Sequence, residues 1–203
     1  MSEALARELG AKGIRDPAVL RAMAEVPRER FVPGRLRGEA DLDRPLPIGL
    51  GQTISQPFVV AYMTEQLGLT GLERVLEVGT GSGYQTAVLA RLAARVWSVE
   101  RLGPLAERAR ALLLEELHLA NVELAEGDGA RGWPEAAPFD RILVTAAATA
   151  VPAALEAQLA PGGRMLLPVG PDEGSQVLRR VDRAADGTLT STDLLAVRFV
   201  PLL

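Results

Sequence analysis

From residue 74 onward, short apolar runs alternate with longer segments in which apolar residues recur at helical spacing. The apolar runs predict strands at 74–78, 96–100, 122–125, 141–145 and 165–168. The periodic segments predict helices at 85–95, 103–119 and 151–159, the last ended by Gly162-Gly163. Short strands that are apolar throughout, each followed by a helix, are typical of parallel sheets. We therefore predict an α/β fold of the Rossmann-like type, a mostly parallel sheet with helices on both faces.

The C-terminal stretch follows a different pattern. Gln176–Asp182 and Leu194–Pro201 flank the dipeptide Asp186-Gly187, and no helical periodicity lies between them. Asp-Gly is a strong turn signal. The pattern predicts two further strands that add an antiparallel pair to one edge of the sheet.

The N-terminal third carries helices and one long irregular stretch. Helices are expected over residues 2–26, in two pieces, and over 58–67; Asp16 is a good N-cap and Pro17 suits the first helical position. Residues 28–57 are rich in proline and glycine, and long loops inside compact domains are often functional. We expect one domain over 1–203, with a helical and loop region over 1–70 and an α/β core over 71–203.

Composition narrows the chemistry. Cysteine is absent and His118 is the only histidine, which excludes disulfides, thiolate-bound metals and a thiol nucleophile. The same counts disfavour a Ser-His-Asp hydrolase. The net charge of −4 disfavours non-specific nucleic-acid binding, because a phosphate backbone attracts basic surfaces. We expect neither a metal site nor a nucleic-acid partner.

Hydropathy bears on location. No stretch reaches the roughly 18 to 20 apolar residues of a membrane span, and the first residues include acids without an apolar run. We expect a cytoplasmic protein that does not associate with membranes. No amphipathic helix or heptad run is left over, which favours a monomer.

The most informative motif is Gly79-Thr80-Gly81-Ser82-Gly83, which follows one predicted strand and precedes a helix. Glycine there allows a tight turn and close approach of a ligand. The spacing differs from the dinucleotide motif G-x-G-x-x-G, and no P-loop lysine follows. Glu100 ends the next strand, where a carboxylate can accept hydrogen bonds from the ribose hydroxyls of a nucleoside. For the loop alone, a turn that merely joins strand to helix is the alternative.

Together with Glu77, this loop resembles the glycine-rich loop of class I S-adenosylmethionine-dependent methyltransferases. The resemblance implies S-adenosylmethionine as the cofactor, and an acid at position 77 suits a ligand with positive charge and no phosphate. It also implies that Gly127-Asp128-Gly129 reaches the adenine, although this segment alone is equally compatible with a tight turn. The residues implied to bind the cofactor are Gln52, Thr53, Ile54, Glu77, Gly79, Thr80, Gly81, Ser82, Gly83, Glu100, Gly127, Asp128 and Gly129.

A longer set of motifs resembles the protein-L-isoaspartate O-methyltransferase family over nearly the whole chain. The most specific are GQTISQP at 51–57 and VRFVPL at 197–202, and others lie at 26–32, 76–90, 138–142, 145–147, 158–164 and 167–170. The resemblance implies methyl transfer to the free α-carboxylate of L-isoaspartyl residues in damaged proteins and peptides. The ester then closes to a succinimide, whose hydrolysis partly restores normal aspartate.

The same resemblance implies roles for individual residues. The Ser55 hydroxyl contacts the isoaspartyl carboxylate and orients it, without forming a covalent intermediate. The residues implied to bind the substrate are Thr53, Ile54, Ser55, Val197, Arg198 and Phe199. Without the surrounding motifs, Ser55 reads as a cap or turn residue before Pro57, and 197–199 as an ordinary edge strand.

The implied reaction agrees with what the chain lacks. A carboxylate with a pKa of about 4 is already an anionic nucleophile at neutral pH, so it needs no base, metal or cysteine. Two alternatives remain: a class I methyltransferase acting on a small molecule or another protein site, and a non-catalytic nucleoside-binding module. The chain stops at Leu203, where family members often continue, so we expect the cover of the cofactor to come from elsewhere.

Overall fold

Helices and strands alternate through most of the chain in the computed structural model, which describes residues 3–171 and 174–202. The α-helices are α1 (Glu3–Ala11), α2 (Pro17–Glu25), α3 (Pro57–Leu67), α4 (Tyr84–Ala90), α5 (Gly103–Arg110) and α6 (Ala153–Gln158). The strands are β1 (Leu46–Gly49), β2 (Gln52–Ile54), β3 (Arg74–Val78), β4 (Arg95–Glu100), β5 (Val122–Glu126), β6 (Phe139–Val144), β7 (Leu159–Val169), β8 (Gln176–Arg183) and β9 (Leu189–Val197). Short 3₁₀ turns cover Arg28–Phe31, Gly34–Glu39, Gly129–Arg131 and Pro134–Ala136.

Strands β3 to β9 form one sheet in the order β5-β4-β3-β6-β7-β8-β9. Neighbours from β5 to β7 pair in parallel, whereas β7-β8 and β8-β9 pair antiparallel. The chain runs outward from β3 to β5 and then returns to the other side of β3 as β6. Such a reversal opens a crevice at the carboxyl ends of the strands, which is where open α/β sheets bind ligands. The predicted fold class is confirmed.

Alternate residues of the central strands face two different hydrophobic cores. Leu76 and Val78 of β3 pack with Leu155 of α6 on one face, and Val75 packs with Leu89 of α4 on the other. All five are almost completely buried. A third core joins the N-terminal helices and the segment around β1 to α4 and α5. Both faces of the sheet are therefore covered, which is why its central strands are apolar throughout.

The N-terminal region contains more order than its sequence predicts. The Asp16 side chain accepts hydrogen bonds from the backbone N–H groups of Ala18 and Val19, so it caps α2 as expected. The stretch predicted to be irregular, residues 28–57, contains the antiparallel hairpin β1-β2. At its tip Gly49, Leu50 and Gly51 all have positive φ, which allows a tight reversal. Among the residues the structure describes, no helix is long and apolar enough to cross a membrane.

Several predicted boundaries are wrong for physical reasons. The helix α6 ends at Gln158, and Gly162-Gly163 lie inside β7, where the pairing of β6 with β7 slips and leaves a bulge. The helix predicted over 103–119 is α-helical only to Arg110 and continues as a π-helical turn over Ala111–Glu116. Strand β9 begins at Leu189 and not at the predicted Leu194; the prediction missed residues 189–193 because they are exposed and have no apolar pattern.

Candidate active site

The glycine loop joins β3 to α4 at the carboxyl edge of the sheet. Gly79, Gly81 and Gly83 all have positive φ, and the Gly79 N–H donates to the carbonyl of Val99 on β4 at 2.8 Å. A Cβ at Gly79 would overlap the Thr145 hydroxyl, which itself donates to the Gly79 carbonyl at 2.6 Å. The loop is therefore held against β4 and β6, and glycine is required for both its conformation and its packing.

Glu100 ends β4 and turns its carboxylate toward this loop. It is 7% exposed; Oε2 accepts the Gly81 N–H at 2.8 Å, and Oε1 accepts the Leu102 N–H at 2.9 Å. Each carboxylate oxygen has a second acceptor site, so the group can also accept hydrogen bonds from a ligand. Glu100 thus supports the loop as well as lining the adjacent cavity, a function that the sequence did not reveal.

Glu77 lies beneath the loop and has no solvent exposure. Its Oε2 accepts hydrogen bonds from the Thr86 hydroxyl at 2.5 Å and the Ser98 hydroxyl at 2.6 Å, and the Ser98 hydroxyl lies 2.6 Å from that of Thr80. Oε1 is buried and has no hydrogen-bond partner within the described part of the chain. Burial raises the pKa of Glu77 to about 7, against the opposing effect of the two hydroxyl donors.

A cavity of about 300 Å³ opens at the carboxyl ends of β3, β4 and β6. Nine of the residues predicted to bind the cofactor line it: Gln52, Thr53, Ile54, Gly79, Thr80, Gly81, Ser82, Glu100 and Gly129. The sequence motifs from three separate elements therefore meet in one place. Thr145 and the segment Val200–Leu202 also line this cavity and were not predicted to do so.

Four predicted cofactor residues do not line the cavity: Glu77, Gly83, Gly127 and Asp128. Glu77 lies under the loop, and Gly83 packs so closely on Leu113 of the π-helical turn that a Cβ would lie 2.9 Å from its Cδ1. The Asp128 side chain caps a 3₁₀ turn by accepting the Ala130 N–H at 2.9 Å. Their contribution here is to shape the loops around the cavity.

A second cavity of about 530 Å³ lies next to the first. Its lining includes five of the six residues predicted to bind the substrate, namely Thr53, Ser55, Val197, Arg198 and Phe199, whereas Ile54 faces the first cavity. Thr53, Ser55, Thr145 and Val200 line both cavities. The two spaces therefore meet at Ser55, whose hydroxyl has no hydrogen-bond partner among residues 3–171 and 174–202.

The last described residues wall the first cavity. The Ala147 N–H donates to the Val200 carbonyl at 2.8 Å, and the Leu202 N–H donates to the Ala147 carbonyl at 2.7 Å. This pairing holds the segment Val200–Leu202 beside the end of β6, and Leu202 lies close to Gly129. The VRFVPL motif leaves the sheet after β9, and its residues Val200–Leu202 form part of the wall of the first cavity.

Gln176 forms hydrogen bonds with the backbone of Phe199, one of the residues implied to bind the substrate. The Phe199 N–H donates to Gln176 Oε1 at 2.7 Å, and Gln176 Nε2 donates to the Phe199 carbonyl at 3.3 Å. Gln176 is 2% exposed. Both backbone groups of Phe199 therefore already have hydrogen-bond partners. Phe199 contributes to the second cavity as part of its wall.

His118 lies outside both cavities, as expected. It is exposed, with a φ of 51°, just beyond the π-helical turn. Trp97 is a core residue between the guanidinium groups of Arg74 and Arg95, and Trp133 packs at the edge of the core around β6. None of the three lines either cavity.

A glycine loop and a strand-end carboxylate at the switch point of a mostly parallel sheet, closed by an antiparallel edge, define a class I S-adenosylmethionine-dependent methyltransferase. The comparisons with known proteins agree. The chain belongs to the protein-L-isoaspartate(D-aspartate) O-methyltransferase family, whose family model matches residues 1–203. The predicted function and cofactor are confirmed by this membership: the enzyme transfers a methyl group from S-adenosylmethionine to isoaspartyl residues and so begins their repair.

The similar proteins cover the chain from end to end. Protein-L-isoaspartate O-methyltransferase 1 of Anaeromyxobacter sp. (strain Fw109-5) is 71% identical over 202 residues, which is 100% of this chain and 95% of that protein. The corresponding protein of Trichlorobacter lovleyi is 56% identical, covering 97% of this chain and 89% of its own length.

Solved structures agree in fold. One protein-L-isoaspartate O-methyltransferase superposes with a TM-score of 0.88 at 33% identity, covering 99% of this chain and 65% of the solved one. A beta-aspartate methyltransferase from Plasmodium falciparum, solved in complex with S-adenosyl-L-homocysteine, superposes with a TM-score of 0.86 at 26% identity. That match covers 98% of this chain and 97% of the solved one.

The site fits the cofactor on its own geometry. The glycine loop leaves space at Gly81, where the only atom within 4 Å of an added Cβ would be Ile48 Cδ1, at 3.7 Å. The Glu100 carboxylate lies beside this loop and suits a ligand that carries positive charge.

Proposed function

We propose that the first cavity holds S-adenosylmethionine and that Ser55 orients the isoaspartyl carboxylate where the two cavities meet. The observation that carries this assignment is the set of residues common to both cavities, among them Ser55, whose hydroxyl has no hydrogen-bond partner in the described part of the chain. Glu100 accepts the ribose hydroxyls, and the wall formed by 197–199 contacts the peptide around the damaged residue. The roles of Thr53 and Ile54 are to line the passage between donor and acceptor.

When bound, S-adenosylmethionine supplies an electrophilic methyl group with its own leaving group. The residues of the chain then have only to place the acceptor. The Ser55 hydroxyl donates one hydrogen bond to a carboxylate oxygen and leaves the other oxygen facing the first cavity. No residue takes a proton from the acceptor, because the carboxylate is ionised at neutral pH. Rate enhancement comes from orientation and from exclusion of water by Val200 and its neighbours.

The variant Ser55→Ala tests this assignment. We expect turnover of an isoaspartyl peptide to fall roughly ten- to a hundredfold, corresponding to the loss of one hydrogen bond to a charged group, about 1.5 to 3 kcal/mol. Cofactor affinity measured by calorimetry is expected to change little. A covalent nucleophile would cost roughly a millionfold, so a loss of that size would contradict an orienting role.

Two controls accompany this measurement. His118→Ala, outside both cavities, is expected to keep wild-type turnover from pH 5 to 9. A peptide with L-aspartate in place of L-isoaspartate is expected to be a very poor acceptor, because its carboxylate stands at a different distance from the chain. Equal methylation of both peptides would favour a methyltransferase of another substrate class.

We further propose that the enzyme acts as a monomer, as one folded domain, on damaged proteins of the cytoplasm and not on nucleic acids. The acidic net charge of −4 supports the last point, because a surface of that sign repels phosphates. Sedimentation at micromolar concentration tests the oligomeric state, and a stable dimer would refute it.

A further inference from the structure

Ser55 is held in place by a buried cation that the proposed mechanism does not use. Arg28 lies in the 3₁₀ turn after α2 and is 2% exposed. Its Nη2 donates to the Ser55 carbonyl at 3.0 Å and to the Arg44 carbonyl at 3.1 Å, and Nη1 donates to the Ala40 carbonyl at 2.5 Å. The guanidinium therefore ties the residue at the cavity junction to the two ends of the segment 40–44.

Burial of the Arg28 guanidinium costs free energy, which indicates that the residue has a specific role. No carboxylate of the described chain forms an ion pair with Arg28, and its Nε has no hydrogen-bond partner there. Burial lowers the pKa of Arg28 from its usual value. A buried charge without an ion-pair partner costs more stability than an apolar side chain of similar volume, so its retention needs a reason beyond packing. That reason is the hydrogen bonding of Arg28 to three backbone carbonyls, one of which belongs to Ser55.

The Asp43 carboxylate holds the residues that follow Ser55 in the chain. Asp43 Oδ1 accepts the Phe58 N–H at 2.7 Å, and Oδ2 accepts Gln56 Nε2 at 3.0 Å and Lys12 Nζ at 2.6 Å. Burial alone would raise the pKa of Asp43, but the three donors outweigh it and keep the pKa below its usual value. Asp43 thereby fixes the two residues on either side of Pro57.

We propose that Arg28 and Asp43 are positioning residues that fix the Ser55 hydroxyl at the junction of the two cavities. Arg28 holds the carbonyl of Ser55, and Asp43 holds the next residue and the start of α3. Between these two anchors the Ser55 backbone is held in one place, so its Cα–Cβ bond starts from a fixed position beside the passage. The inference rests on the orienting role proposed for Ser55, and it adds that this role depends on two side chains that touch neither reactant.

A double-mutant cycle tests the proposal with Arg28→Lys, Ser55→Ala and their combination. Lysine keeps the charge but has a single nitrogen, so it cannot replace the fork that holds several carbonyls. We expect Arg28→Lys to lower kcat/KM for the isoaspartyl peptide roughly ten- to a hundredfold, as for a lost hydrogen bond to a buried acceptor. In the Ser55→Ala background the same change is expected to cost less than threefold, because the hydroxyl it positions is absent.

Calorimetry with S-adenosylmethionine separates positioning from loss of folded protein. A positioning defect leaves one binding site per chain and an affinity within about threefold of wild type, whereas partial unfolding lowers the stoichiometry. Arg30→Lys is the matched control, because Arg30 lies in the same 3₁₀ turn but forms an exposed ion pair with Glu116. We expect Arg30→Lys to stay within twofold of wild type.

If Arg28→Lys does not bind cofactor at one site per chain, Asp43→Asn enters the same cycle, with the exposed Asp41→Asn as its control. Wild-type kcat/KM in the positioning variants, or losses that multiply independently with that of Ser55→Ala, would overturn the proposal. If Ser55→Ala alone retains full activity, the orienting role of Ser55 fails, and the positioning role fails with it. A slow Ser55→Ala with independent losses refutes the positioning role alone.

Discussion

The buried carboxylate of Glu77 makes the stability of this enzyme depend on pH in a defined interval. Its pKa is about 7 in the folded protein and about 4.5 in the unfolded chain. Between these values the unfolded chain releases a proton that the folded protein keeps. The contribution of Glu77 to stability is therefore fully present below pH 4.5 and is lost as pH rises toward 7.

The magnitude follows from the same two values. Each pH unit in this interval costs up to about 1.4 kcal/mol, so the contribution of Glu77 to the free energy of unfolding should fall by about 3 kcal/mol in total between pH 4.5 and 7. Glu77→Gln removes the titrating group and keeps a side-chain oxygen for the hydroxyls of Thr86 and Ser98. We expect the variant to match wild type near pH 5 and to exceed its stability by about 2 to 3 kcal/mol at pH 8.

Urea unfolding at pH 5, 6, 7 and 8 measures this difference directly. Glu126→Gln, an exposed glutamate at the end of β5, is the control for removing one negative charge, and its difference from wild type should stay nearly constant. The reasoning is refuted if the difference between Glu77→Gln and wild type does not change with pH. That result would mean that Glu77 remains ionised at neutral pH despite its burial.

Two further expectations concern the first cavity. Glu100→Ala should weaken S-adenosylmethionine binding by about 1.5 to 3 kcal/mol in calorimetry, because a charge-assisted acceptor is lost, while Glu126→Ala at the paired position of the next strand should not. Gly79→Ala should lower the free energy of unfolding in urea by more than the roughly 1 to 2 kcal/mol of left-handed backbone strain, since its Cβ would overlap Thr145. Gly162→Ala is the control: its Cβ meets no atom within 4 Å, so it should cost the backbone strain alone.

The parts of the fold that the sequence predicts best are strand segments in which consecutive residues are buried. Strands β3 and β4 begin and end within one residue of the predicted ranges, because every residue in them after the first is buried. Strand β9 begins five residues earlier than predicted, since residues 189–193 are exposed and carry no hydrophobic pattern. The hairpin β1-β2 was missed because its strands are only a few residues long and its turn depends on positive φ at three consecutive positions.

The residues of the site also differ in how well the sequence predicts them. The glycine loop and Glu100 were predictable because local spacing alone places them at adjoining strand ends. The contacts of Arg28 with carbonyls 12, 16 and 27 residues away could not be predicted, because backbone acceptors have no sequence signature. The same holds for the pairing of Ala147 with the C-terminal segment, which joins residues that are distant in the chain.

The distribution of buried charge explains why a hydroxyl, and not Arg28, faces the acceptor in the proposed arrangement. Transfer of a methyl group from a sulfonium to a carboxylate consumes one positive and one negative charge, so both charges are weaker in the transition state than in the reactants. A guanidinium bound directly to the carboxylate would stabilise the reactants more than the transition state and would slow the reaction. In the proposed arrangement the Arg28 guanidinium donates to carbonyls instead, and the neutral Ser55 hydroxyl orients the acceptor. In that arrangement the buried positive charge of Arg28 fixes geometry, and the carboxylate keeps the nucleophilicity that the transfer requires.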